Sequence, residues 1–361
     1  MANAQSFPLL RLPCLARGHV VMIMDIREQY LFSTLSKKSK NVTKNGVRQL
    51  RYVFELELFT YAVQFNIKKE SSSEQLSITI HQIEEEEWDV NYIPLNIIIM
   101  KVEDIREKSI ELLIYLKELF KMVRFVLDCN RTPNDFIKQF LTTVKNLKIP
   151  VHKLDVGNKE DQDNETYEWI LKNCRDVKKL KIRYGTTPDF KFDAQQPFTF
   201  DNCHLYEAFW LTLDHMTRLF WDCRLFTTWK YDYKMTDRDF NQFIKLWIEG
   251  GSKLEYVDIP VNESTNFQEV MTDIEKVPVE NAYIENCPTN FSPGSAFKIQ
   301  RKNGQEAVVC HVYKVEFVLT THFDEKDCDL WTVYDSSDEE DTEDDENDDE
   351  GEEEEDADSD N

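Results

Sequence analysis

The sequence predicts a mixed protein of the α+β / α/β class: three short amino-terminal helices, a β-meander, a long run of alternating helices and strands, and a disordered acidic tail. Three observations carry this reading. Apolar residues recur at helical spacing over residues 13–35, they alternate with period two over 52–80, and from about residue 103 each amphipathic segment is followed by a short apolar strand core. The corresponding units are 6–48, 50–100, 101–334 and 335–361.

The opening stretch FPLLRLPCLARGHVVMIMDIREQYLFSTLSKKSKN covers residues 7–41. Pro13 suits a first helical position, where its fixed φ helps and its missing N–H is not needed. A helix to about Met24 follows. Asp25 and Glu28 form a capping pair that ends this helix and starts a second, which carries Ile26, Tyr30, Leu31 and Leu35; Ser36 then caps a third, basic turn. Helices this short cannot enclose a core, so their apolar faces must meet either the rest of the chain or another protein. The plainer alternative is a helical cap on the body.

Residues 52–59, 62–67 and 75–80 alternate and predict three strands of a meander. Glu84 to Glu87, beside Trp88, reads as a solvated loop, because consecutive carboxylates point in different directions and cannot converge on a metal. Beyond residue 103, strand cores are expected at FVL 125–127, LDV 154–156, LKI 180–182, LFW 219–221 and VDI 257–259. They follow the helical segments EKSIELLIYLKELF, NDFIKQFLTTV, ETYEWILKNC, LYEAFWLTL and DRDFNQFIKLWIEG. One helix plus one strand, repeated at irregular spacing, is what a curved leucine-rich-like stack produces; a compact α/β sheet is the rival arrangement. Asp237 is placed to cap a helix whose Phe240, Phe243, Ile244 and Trp247 share a face, with Gly250-Gly251 as its exit. Asn303-Gly304 between alternating runs is a hairpin signal.

Two of these stretches carry a family resemblance. Leu12-Pro13, the apolar helix ending IMD, the second helix IREQYLFSTLS and the basic KKSKN together resemble the F-box, the short adaptor-binding motif of ubiquitin-ligase receptors. The FPLLRLP opening is similar to the nematode variety. MTDRDFNQFIKLWIEGGSKLEYVDI at 235–259, followed by FKIQRKNGQEAVV at 297–309, resembles the F-box-associated domain (type 2) of that family, so the resemblance spans about residues 6–320. It implies a substrate-recognition subunit of a Skp-cullin-F-box ubiquitin ligase. Leu12, Pro13, Leu15, Val20, Ile23, Met24, Ile26, Tyr30 and Leu31 would dock on a Skp-type adaptor and through it a cullin, while the associated domain holds a protein substrate. Gly18 inside the first helix costs about 1 kcal/mol relative to Ala, which docking would offset.

The remaining observations exclude other classes. Only nine glycines are present, and no phosphate-binding loop, dinucleotide fingerprint, nucleophile elbow or zinc-protease motif occurs, so no catalytic residue, cofactor or metal ligand is assigned. Cys14, Cys129, Cys174, Cys203, Cys223, Cys287, Cys310 and Cys328 are scattered singly and read as reduced, mostly buried thiols. No apolar run approaches the roughly 20 residues of a membrane span, and the expected location is the cytoplasm, the nucleus or both. Residues 335–361 hold 19 Asp and Glu and no Lys or Arg, which leaves 49 acids against 43 bases on the rest of the chain. A body charge of −6 beside such a tail opposes nucleic-acid binding, so the aromatic stripe 206–233 reads mainly as core. Trp210, Trp221, Trp229 and Tyr231 are its candidates for a substrate surface. The tail itself reads either as a solubilising segment or as an arm for basic proteins, in the second case making the chain an adaptor-independent scaffold or chaperone. Ser336, Ser337 and Thr342 each have an acid three residues on and are candidate phosphorylation sites.

Overall fold

Pro13 precedes α1 (Cys14–Ile23), which follows a single 3-10 turn at Leu9–Arg11 and has no side-chain cap. The structure, a computed structural model, describes residues 9–83, 96–157, 162–194, 196–229, 234–279, 294–312 and 315–323. The acidic tail with Ser336, Ser337 and Thr342, the cluster at Glu84 to Glu87, and Tyr231 lie outside the described residues.

Asp25 caps α2 (Ile26–Thr34) through the expected reciprocal pair: its Oδ1 accepts from the Glu28 N–H at 2.7 Å, and its own N–H donates to Glu28 Oε2 at 3.1 Å. Ser36 caps α3 (Lys37–Gly46) by accepting from the Ser39 N–H. A Cβ on Gly46 would lie 2.9 Å from Val21 Cβ, so glycine is what lets α3 pass close to α1. The sharp α1–α2 corner is held by Gln29, which is fully buried. Its amide donates to the Val21 carbonyl at 3.1 Å and the Met24 carbonyl at 2.9 Å, and its oxygen accepts from the Tyr52 hydroxyl at 2.9 Å.

Alternation over residues 52–82 produces β1 (Tyr52–Leu58), β2 (Ala62–Lys69) and β3 (Gln75–Gln82), an antiparallel meander burying Phe54, Leu56, Phe65, Ile67, Ile78 and Ile80 on one face. β4 (Ile97–Val102) adds in parallel beside β3. The chain then crosses through α4 (Ile105–Leu119) to β5 (Met122–Cys129), which pairs in parallel with β1. From there the strands follow chain order, each parallel to the one before: β6 (Val151–Val156), β7 (Lys179–Ile182), β8 (Asn202–Leu205), β9 (Leu225–Thr228) and β10 (Tyr256–Pro260). They begin 23 to 31 residues apart. Helices α5 (Asn134–Asn146), α6 (Asn164–Asn173), α7 (Leu213–Leu219) and α8 (Asp237–Glu249) lie in four of the five crossovers. After α9 (Phe267–Val270) come β11 (Val277–Pro278), β12 (Ala296–Gln300), β13 (Glu306–Val312) and β14 (Glu316–Thr320). They close the carboxyl end as an antiparallel set, with β14 against β10. The described strands form one 14-stranded sheet in the order β11-β12-β13-β14-β10-β9-β8-β7-β6-β5-β1-β2-β3-β4.

Three local expectations are corrected. Leu219 to Trp221 is not a strand: Leu219 ends α7, and the strand core falls at Leu225–Thr228. The segment 205–213 is not a helix; Leu205 ends β8, and α7 begins only after Thr212, whose hydroxyl accepts from the His215 N–H. Both errors have one cause, since a short apolar run has no periodicity that separates strand from helix. Asp237 is the first residue of α8 and not its cap; Thr236 caps, in a box with Asp239, and Asp237 Oδ2 accepts from the Asn266 N–H at 3.0 Å. The exit at Gly250 and Gly251, with φ of 102° and 87°, follows the expectation.

Among its described residues, the crossover from β7 to β8 has no helix. Phe190, Phe192, Phe198 and Phe200 fill its place, packed with Trp210 and Phe220 at centroid distances such as 5.2 Å (Phe192–Trp210) and 5.1 Å (Phe198–Phe220). They belong to a continuous core that runs from Val21, Ile26 and Tyr30 through the helix-bearing side of the sheet to Leu319. A smaller core of Leu225, Tyr256, Val308, Cys310 and Val318 lies on the opposite side, at the carboxyl end. No helix of the described residues is long and apolar enough to cross a membrane.

Candidate functional site

Two surfaces stand out, and they differ in chemistry. The first is the outer side of the amino-terminal helices. Leu15 and Ile23 of α1 are 81% and 83% exposed, Leu35 is largely exposed, and Leu31 and Pro13 are also open to solvent. Leu12, Val20 and Met24 are half-buried. Ile26 and Tyr30 must be removed from the predicted docking set, because both belong to the chain's own core. Tyr30 meets Tyr115 of α4 edge-on at 6.1 Å, and burial pushes its hydroxyl pKa up to about 12. Neighbouring Ser33 shares a 2.7 Å hydrogen bond with the Tyr115 hydroxyl. Thus α2 divides its apolar residues: Ile26 and Tyr30 fasten the helices to the sheet, while Leu31 and the following Leu35 face outward.

The second surface is the side of the parallel strands that carries no helix. Strand register places one side chain from each of seven adjacent strands in a single row: Glu57, Asp128, Asp155, Lys181, His204, Thr227 and Asp258. Each is the middle residue of an apolar–polar–apolar or similar triplet, so its neighbours go into the core while it faces away. Sequence reasoning used these triplets only as strand cores and missed the row, although LDV, LKI and VDI already contain three of its members. Asp155 is nearly inaccessible, and Arg183 clamps it with two bonds, Nε to Oδ1 at 2.9 Å and Nη2 to Oδ2 at 3.1 Å. Lys181 Nζ lies 3.7 Å from the same carboxylate. His204 Nδ1 is 2.6 Å from Thr227 Oγ1.

Burial raises Glu57, Asp128 and Asp258 of this row. Asp128 is pushed up to about 6 by desolvation and by the neighbouring Asp155, and Asp258 up to about 7 by desolvation and Glu316. Glu57 shifts upward for the same reasons, desolvation first and then Glu55. Burial likewise drives the thiols of Cys129, Cys174, Cys203 and Cys223 upward, away from the reactive thiolate. Among the described residues no group of His, Cys, Asp and Glu is arranged to hold a metal ion.

The aromatic candidates separate. Trp210 is only 2% exposed, at the centre of the aromatic core, and is not a surface residue. Trp221 is half-buried against Phe243 at 5.9 Å. Trp229 is 48% exposed at the top of the row, 6.3 Å from Tyr206 and 5.7 Å from Lys181 Nζ.

Apolar α1 and the polar strand row are thus the two surfaces this protein presents. Its central strands have a recognisable kinship: residues 191–259 match the family model described as F-box associated. No curated protein and no solved structure matches the chain. The matched segment runs from the aromatic crossover through β8, α7, β9 and α8 to β10, and so contains His204, Thr227, Asp258 and Trp229. It includes the earlier resemblance at 235–259, whereas 297–309 lies beyond it. The chain therefore carries an F-box-associated segment on the last three strands of its parallel run.

Proposed function

We propose that this chain is the substrate-recognition subunit of a Skp-cullin-F-box ubiquitin ligase, of the nematode type with an F-box at 6–48 and a type 2 associated domain. In this reading the exposed side of α1, with Leu15 and Ile23, and the Leu12-Pro13 pair just before it dock on a Skp-type adaptor, which links to a cullin. The leucine-rich-like stack of parallel strands holds a protein substrate on its helix-free face. The chain does no chemistry itself. It raises the local concentration of substrate lysines near a charged enzyme supplied by other subunits, in the cytoplasm or nucleus.

The observation that carries the reading is the F-box-associated match on three of the seven strands that build the polar row, together with two isoleucine- and leucine-sized side chains left in water on α1. Pull-down of the full chain tests it. Recovery of a Skp-type adaptor that is lost on Leu12→Ala/Pro13→Ala supports the reading. Partner binding indifferent to those changes but abolished by truncation after Tyr334 replaces it with the scaffold or chaperone alternative.

A further inference from the structure

α1 and α3 enclose an open groove of about 800 Å³. Leu15 and Met22 contribute apolar lining, and Arg17, Lys37, Lys38 and Arg48 make it basic; no acidic side chain lines it. The imbalance is rooted in the sequence, which has six Lys and Arg and no acid between Glu28 and Glu55. Two of these cations are engaged elsewhere: Lys40 pairs with Glu118 at 2.6 Å and Arg51 with Glu70 at 2.8 Å. Arg17, Lys37, Lys38 and Arg48 form no ion pair among the described residues, and the buried Arg17 Nε–H finds no acceptor there.

We propose that this groove is the docking site of the chain's own acidic segment, residues 335–361. Charge complementarity is direct, since that segment holds 19 carboxylates and no cation. Lys181 and Arg183 on the helix-free face compete poorly, because both are already committed to Asp155. Reach is sufficient. Seven strand-to-strand steps separate β14 from β1, about 34 Å at 4.8 Å per step, and the helices add roughly 20 Å. Residues 343–355 lie 20 to 32 positions beyond Phe323, which spans at least about 65 Å when extended. Tethering supplies an effective concentration of order millimolar, so several weak ion pairs suffice. Phosphates on Ser336, Ser337 or Thr342 would strengthen the contact by adding charge. Because Leu15 lines the groove, a docked tail shields part of the adaptor surface, a consequence that rests on the ligase reading.

Zero-length carbodiimide cross-linking of the full chain, with no adaptor present, tests the docking independently of that reading. Peptide mapping should show Lys37 or Lys38 joined to residues 335–361, with a yield that falls at least fivefold in 0.5 M salt (a screening length of roughly 4 Å) and in Arg48→Glu. Salt needs no variant, and Arg48 is exposed, so loss of folding cannot imitate the result. Tail cross-links spread over exposed lysines elsewhere, or yields indifferent to salt and to Arg48→Glu, would overturn the proposal. So would cross-links that join labelled to unlabelled chains in an isotope mixture, since they place the tail on a second copy.

Discussion

α1 turns Leu15 and Ile23 to water, whereas the helix-free face of the sheet turns out Asp128, Lys181, His204 and their neighbours. The first surface gains by being covered, since exposed aliphatic area has a standing hydration cost. The second is already solvated or internally paired, so a partner must replace each bond it breaks. A greasy patch suits a constant partner bound by area; a row of individually placed polar groups suits discrimination among partners. Between them lies a shared core, and residues of the same helix can belong to either side, as Tyr30 and Leu31 do.

The comparison can be broken most severely at the core. Trp210→Ala should cost about 3–5 kcal/mol, because the indole contacts Phe190, Phe192, Phe220 and Tyr167 and no neighbouring side chain can fill the void. A urea midpoint that hardly moves would show that Trp210 is a surface residue after all. Next comes the polar row. The folded pKa of Asp128 is raised to about 6 from an ordinary 3.8, so the folded state binds the extra proton between those values. Stability should therefore fall as pH rises from about 4 to about 6, and Asp128→Asn should be the more stable chain at pH 8 by about 1–3 kcal/mol. Urea titrations of both chains at several pH values check the sign; parallel curves would mean that Asp128 is not desolvated. The smallest effect belongs to the amino-terminal helices. A Cβ on Gly18 would meet nothing within 4 Å, so Gly18→Ala should raise stability by about 1 kcal/mol through helix propensity alone. Weaker adaptor binding by this more stable chain would mark Gly18 as a point of close approach by the partner.

Much of this architecture was legible. Capping chemistry at Asp25 and Ser36, alternation at 52–80 and the Asn303-Gly304 turn between β12 and β13 all act through near neighbours, and short-range patterns report them. What stayed hidden depends on long-range pairing. Nothing local says that the Tyr52 hydroxyl will reach Gln29, or that Tyr115 will cover Tyr30, so the inward and outward sides of α2 could not be told apart. Leu219-Phe220-Trp221 had the composition of a buried strand, and only the packing of α7 onto the aromatic crossover decides otherwise. The row from Glu57 to Asp258 was hidden in a different way. Each member was visible beside its apolar neighbours, but their alignment is a property of strand register.

Separate partners for α1 and the polar row are the central claim. Titration of a purified Skp-type adaptor against the full chain, Ile23→Asp and Lys181→Ala, with melting temperatures taken alongside, tests this directly. Ile23→Asp should weaken binding at least 100-fold with its melting temperature unchanged, while Lys181→Ala binds the adaptor like the parent chain. Equal affinities for the parent and Ile23→Asp, or a loss of adaptor binding on Lys181→Ala, would contradict it.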